Sequence, residues 1–231
     1  AFQGSKTNVG FDAGSSSISL AGTGNFDSST DIDAESSIDD MGGVSSTGTY
    51  LFNETLDLGA VFSLDLRKII QTASVYSTDL FDSITDLDAR QDFDGTASVD
   101  TNAEVFVQSS QDGTNYSGFQ KFANGTFKGR TFKFKCVLTT QDTNQDIRVS
   151  QLGYFAEFQR RTEQSTTTIA SGAGAKAITF NSPFFTGTSA LLGANSNPPA
   201  IGITAFNMAS GDFFELSSIT GTGFTVHFKN S

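Results

Sequence analysis

Polar and apolar residues alternate over much of this chain, and the alternation has the two-residue period of a strand rather than the 3.6-residue period of a helix. The clearest run spans residues 127–140. Phe132, Phe134, Cys136 and Leu138 share one face of it, and Thr131, Lys133, Lys135 and Val137 share the other. Phe62, Leu64 and Leu66 alternate with Ser63 and Asp65 in the same way. Shorter strand signals lie at 48–52 and 56–59, and residues 69–76 read as a continuation or as the next strand. Residues 103–109 form a strand that ends on Gln111-Asp112-Gly113, a hairpin-type turn. In 146–158, Ile147 and Val149 share a face, and a bulge is expected before Leu152, Tyr154 and Ala156.

Between these segments lie two polar regions. Residues 1–46 are rich in Gly, Ser, Thr and Asp and predict one or two short strands, such as Ile18-Ser19-Leu20, among long loops. Residues 79–102 read as an acidic loop. Residues 160–168 read as a linker or an exposed connecting strand. Beyond about residue 171 acids nearly vanish, and strands are expected at 177–180, 200–206, 213–219 and 223–229. In the last of these Phe224, Val226 and Phe228 face inward, and Thr225, His227 and Lys229 face outward. Short strands separated by turn signals predict an all-β chain with little helix, built as two tandem β-sandwich domains over 1–162 and 163–231. The second is too small to be comfortable alone and is expected to pack on the first or on copies of itself.

Composition agrees. The chain has 23 Phe and no Trp, and charged residues make up 17% of it, leaving a Ser-, Thr-, Asn- and Gly-rich remainder that disfavours helix interiors. A net charge of −11 argues against nucleic acid and against attraction to an anionic lipid surface. No apolar run approaches the length of a membrane-spanning helix. The chain begins without an initiator Met or a leader-like segment, so it reads as processed or as part of something longer. With a single cysteine, Cys136, it can form no internal disulfide.

Candidate chemistry is sparse. His227, the only histidine, lies on the outward face of the last strand with no Gly-x-Ser-x-Gly elbow before it, which favours a structural role over a triad. Cys136 sits in an apolar row and reads as core. Two acidic clusters stand out: Asp31, Asp33, Glu35, Asp39 and Asp40, and Asp86, Asp88, Asp92 and Asp94. Solvated loops, a calcium site at Asp86, Asp88, Asp92 and Asp94, and a carboxylate pair of glycosidase type all remain open for them. No cofactor other than Ca²⁺ is suggested. Tyr116, at a turn tip, and Phe184 with Phe185 are the candidates for stacking on a sugar, with core packing favoured for each Phe.

Several segments resemble tailed-bacteriophage tail proteins. They are residues 48–59; 103–113 with its Ser110-x-Asp112-x-x-x-Tyr116 turn; Phe119-Gln120-Lys121-Phe122; and the Gly125-x-x-x-x-Arg130-x-Phe132-x-Phe134 strand. Over about residues 47–158 the likeness is to the C-terminal part of host-specificity tail-tip proteins, whose sandwiches are discoidin-like. Residues 201–206, 211–214 and 222–228 resemble a small lectin-like module of the H-type kind. The resemblance implies jelly-roll or lectin-like sandwiches in a virion tail tip or fibre, exposed outside the cell and free of enzymatic activity. Its partners would be a host cell-surface glycan or protein, other tail proteins and further copies of itself, as a homotrimer. The ligand would meet Asp112, Asn115 and Tyr116. A purely structural tail component and a surface-glycan hydrolase are the alternatives.

Overall fold

A computed structural model describes residues 2–23, 43–76, 100–143, 145–170, 174–187 and 198–230. Its described residues are all strand, turn and irregular backbone, arranged as twelve strands. These are β1 (Ser5–Thr7), β2 (Val9–Asp12), β3 (Ser17–Leu20), β4 (Thr47–Leu51), β5 (Leu56–Tyr76), β6 (Thr101–Ser110), β7 (Gln120–Lys121), β8 (Gly125–Thr140), β9 (Gln145–Glu157), β10 (Lys176–Thr179), β11 (Asp212–Ser217) and β12 (Gly223–Asn230). The opening segment thus holds three strands where one or two were expected. Both acidic clusters, Asp31 to Asp40 and Asp86 to Asp94, lie outside the described residues.

The first nine strands form one folded sheet with the character of a sandwich. β8 is its axis. β6 pairs along one edge of β8, from Thr101–Thr140 to Ser110–Thr131. β4 and then the start of β5 run along the other edge. β5 next leaves β8 and pairs with β9, which pairs with β3, which pairs with β2. The three segments anticipated over 56–76 are therefore one strand shared by both layers. The β5–β8 pairing is interrupted by a register shift between Asp57 and Phe62, with Gly59 at φ 77°, and resumes from Phe62–Gly129 to Leu66–Gly125, where β9 takes over. Glycine enters that left-handed region without steric cost, and the Asp57 side chain accepts the Gly59 N–H at 2.8 Å to hold the bend. The bulge anticipated in β9 is present: Gln71 faces Gln151 and Thr72 faces Val149, leaving Ser150 unmatched.

The alternating rows meet between the layers. Ile18, Leu20, Leu56, Leu64, Leu66, Val105, Val107, Phe122, Phe132, Phe134, Cys136, Leu138 and Val149 are all at most 2% exposed. Phe134 stacks on Tyr154 at 4.2 Å between ring centroids and meets Phe122 at 5.6 Å. Cys136 is fully enclosed, and burial pushes its thiol up to about 12. Thr131 departs from its outward row: it is 2% exposed, and its hydroxyl has no hydrogen-bond partner among the described residues.

The remaining strands form a separate three-stranded sheet in the order β10-β12-β11. The strand expected over 200–206 is irregular backbone instead. Pro198 and Pro199 precede it without N–H groups to offer a ladder, and no described strand pairs with it. The two sheets are joined through aromatic rings. Phe185 stacks on Phe158 at 4.3 Å and meets Phe62 edge-on at 5.5 Å. Arg161 donates to the carbonyls of Ser182 and Pro183, and Glu163 accepts the Asn181 N–H.

Candidate functional site

The tip between β6 and β7 is built around one carboxylate. Asp112 accepts hydrogen bonds from the backbone N–H groups of Thr114 and Asn115 (2.8 Å each), from the Asn115 amide (2.6 Å) and from the Ser110 hydroxyl (2.8 Å). Ser110 Oγ also accepts the Gly113 N–H at 2.9 Å. Asn115, the Thr114 and Asn115 backbone and Ser110 together hold the Asp112 carboxyl far below the usual carboxylate range. Gly113, at φ 86°, supplies the left-handed step that this wrapping needs.

Arg130 clamps the same turn from β8. Its Nη1 donates to the Asp112 carbonyl at 3.1 Å, while Nε and Nη2 reach the Asp57 carboxylate at 3.2 and 3.4 Å. The Gly59 N–H first, and then Arg130, hold the Asp57 carboxyl below its ordinary pKa. A Cβ on Gly113 would stand 3.4 Å from the guanidinium carbon, so the clamp lies directly against the turn. Ser110, Asp112, Tyr116 and Arg130, read from sequence as separate motif positions, thus meet in one place.

Beside this clasp, the outer face of β4-β8-β6 carries aromatic rings and lysines. The Lys133 ammonium lies 4.2 Å from the Tyr116 ring centroid. The Lys135 ammonium lies between two rings, 4.7 Å from Phe119 and 5.4 Å from Phe106. The ladder sets Leu51, Lys135 and Phe106 side by side across three strands, with Gln108 opposite Lys133. Lys121 of β7 pairs with Glu104, but Lys133 and Lys135 have no carboxylate within salt-bridge distance among the described residues. Such cation–ring contacts are worth about 0.5–1 kcal/mol at exposed positions, and they fix long side chains that would otherwise be mobile.

No protein-family model, curated protein or solved structure matches the chain.

The geometry therefore has to speak for the site. Of the residues anticipated at a ligand, Asp112 and Asn115 are exposed but spend their polar groups on the turn, and Tyr116 presents a half-buried ring beside Lys133. Phe106, Phe119, Lys133 and Lys135 were not singled out. Their signal was the Lys-Phe-Lys alternation at 133–135 facing an aromatic residue on the neighbouring strand, a pairing visible only once register is known. Phe185 lies in the ring cluster between the sheets, and Phe184 stacks under Arg161 at 4.2 Å, so both pack rather than project. A groove of about 280 Å³ runs beside them, lined by Leu58, Phe62, Phe185 and Thr220 among others. His227 lies opposite Glu215 on the small sheet.

Proposed function

We propose that the chain is an attachment module of a phage tail tip or fibre, carried outside the cell on the virion, which docks on a host cell-surface glycan through the outer face of β4-β8-β6. The observation that carries this reading is the group of rings at Tyr116, Phe119 and Phe106, interleaved with Lys133 and Lys135, beside a turn locked by Asp112 and Arg130. Sugar rings stack on aromatic faces, and the ammonium groups supply donors to hydroxyl, carboxylate or phosphate oxygens. Phe106, Lys133 and Lys135 stand on paired strands, and Tyr116 is tied to Ser110 in the segment after β6, which lowers the ordering cost of binding. Reversible recognition without a catalytic step is the role these groups support. A single contact of this size is weak, and repeated copies on one particle would raise avidity by about 10²–10⁴ without new contacts.

The test is retention of the purified chain on host envelope and on an array of envelope glycans, compared with Tyr116→Ala and with the Lys133→Ala, Lys135→Ala double variant. Attachment at this face requires both variants to lose retention about tenfold or more while remaining folded, the loss of one stacked ring and two donors being worth about 1–3 kcal/mol. Unchanged retention would remove the face from the function. Absence of any retention by the wild-type chain would leave the purely structural role.

A further inference from the structure

Lys133 and Lys135 are held differently from their neighbours. Lys121 pairs with Glu104 and Arg130 with Asp57, each beside an opposite charge. The Lys133 ammonium rests instead 4.2 Å from the Tyr116 ring centroid, and that of Lys135 lies 4.7 Å from Phe119 and 5.4 Å from Phe106. Neither has a carboxylate within salt-bridge distance among the described residues. A carboxylate partner would cancel the charge it holds. An aromatic ring attracts a cation through its quadrupole and leaves the full positive charge in place. The rings therefore orient two ammonium groups without neutralising them.

The surroundings narrow what anion they suit. Cross-strand pairing lines up Ser5, Leu51, Lys135, Phe106 and Lys121 in one row over β1, β4, β8, β6 and β7. Lys135 thus stands between two apolar side chains, Leu51, which is 38% exposed, and the half-buried Phe106. Lys133 lies two residues back on β8, about 6.5 Å along the strand, with a ring of its own. Separate ring contacts keep the two ammonium groups from converging on one multiply charged group. They suit single charges carried on successive units of a chain. A carboxylate fixed to a sugar ring brings C–H faces to Leu51 and Phe106 along with its charge, whereas a phosphodiester surrounds its charge with oxygens and offers these side chains nothing apolar. The net charge of −11 does not forbid such a ligand, because at physiological salt exposed charges act over only about 8 Å. Of the carboxylates around this face, Glu104 is tied to Lys121, Asp57 to Arg130 and Asp112 to its own turn.

We propose that the glycan taken by the outer face of β4-β8-β6 is an acidic polysaccharide with carboxylates on its sugar rings, Lys133 and Lys135 each meeting one carboxylate. This rests on the reading of that face as the docking surface and adds the class of sugar it selects.

Binding of the full chain to polygalacturonate and to hyaluronate, beside their methyl esters, poly(glycerol phosphate) and dextran, tests it. The expected result is that both carboxylated polymers bind about tenfold or more tighter than the esters, the phosphate polymer and dextran, and more weakly as salt is raised. The Lys133→Gln, Lys135→Gln variant should lose that advantage, and a Lys128→Gln, Lys176→Gln variant, with the same change in net charge, should keep it. Equal binding to the esters, a preference for poly(glycerol phosphate), an equal loss in both variants, or no binding to either carboxylated polymer would overturn the proposal. Host-envelope retention that needs Tyr116 but withstands both the Lys133→Gln, Lys135→Gln exchange and an excess of these polymers would overturn this inference alone. Polymer binding through the two lysines without host-envelope retention would overturn the docking role and leave the ligand chemistry standing.

Discussion

The two sheets are made of the same residue types and differ in what those residues achieve. In the nine-stranded sandwich, rows of Phe, Leu and Val close on one another between two layers, and eighteen apolar side chains among the described residues are buried. In the three-stranded sheet an equally regular row, Phe214, Leu216, Phe224, Val226 and Phe228, buries one. Alternation makes a strand; only a second layer makes a core. Among the described residues the enclosed core therefore belongs to the sandwich, and the small sheet adds little to it.

Thiol reactivity puts the sharpest demand on this contrast. With its pKa at about 12 against an ordinary 9.0, Cys136 has roughly a thousandfold less thiolate at neutral pH than a free cysteine, before burial restricts access. Labelling should stay negligible in native buffer and appear only across the unfolding transition of the sandwich. Amide exchange in β11 and β12, where one apolar side chain is buried among the described residues, should be complete well before then. Simultaneous loss of protection in both sheets would erase the distinction.

Truncation comes next. Phe132→Ala or Phe134→Ala should cost about 3–5 kcal/mol in denaturant unfolding, because each leaves a cavity among fully enclosed neighbours. Phe213→Ala on the small sheet should stay within about 0.5 kcal/mol. Comparable losses at both would mean that the small sheet is as well buried as the large one. A gain is expected from Thr131→Val, which keeps the shape and removes a buried hydroxyl that has no partner among the described residues. It should stabilise the sandwich by about 1 kcal/mol, read from the shift in unfolding midpoint.

Acid should produce the gentlest effect. Asp12, Asp57, Asp65, Glu104 and Asp112 in the sandwich all have lowered pKa values, chiefly through hydrogen bonds to their charged forms. A depressed carboxyl contributes stability that is complete above its unfolded value and is lost as the pH falls towards its folded value. Stability measured by denaturant titration should accordingly decline below the ordinary carboxylate range, and Asp112→Asn should flatten part of that decline. In the small sheet, Glu215 beside Lys229 adds one further group of the same sign.

Much of the fold was legible in the sequence because period-two patterning is local. β4, β6, β8, β9, β10, β11 and β12 lie where alternation or turn residues place them, and the β9 bulge shows as a slip in phase at Ser150. What escaped was non-local. Nothing in 56–76 announces that one strand serves both layers, since that depends on which neighbours sit at each end. The irregular course of 200–206 reflects a missing partner rather than poor strand propensity. At the site, the Ser110-x-Asp112 turn was visible, but its clamp by Arg130 and the cage around Lys135 join residues 18 to 73 and 16 to 29 positions apart.

The shared strand has a mechanical corollary. β5 is 21 residues long, about 70 Å if fully extended, with its beginning zipped to β8 and its remainder to β9. Tension drawn along β9 from its Glu157 end, against a hold at the Tyr76 end of β5, meets a ladder running from Asp65–Glu157 to Tyr76–Gln145, whose bonds lie across the pull and must slide together instead of peeling one at a time. The layers are thus tied by a continuous covalent cable, a construction suited to a part that has to stay whole while something at either end is tugged.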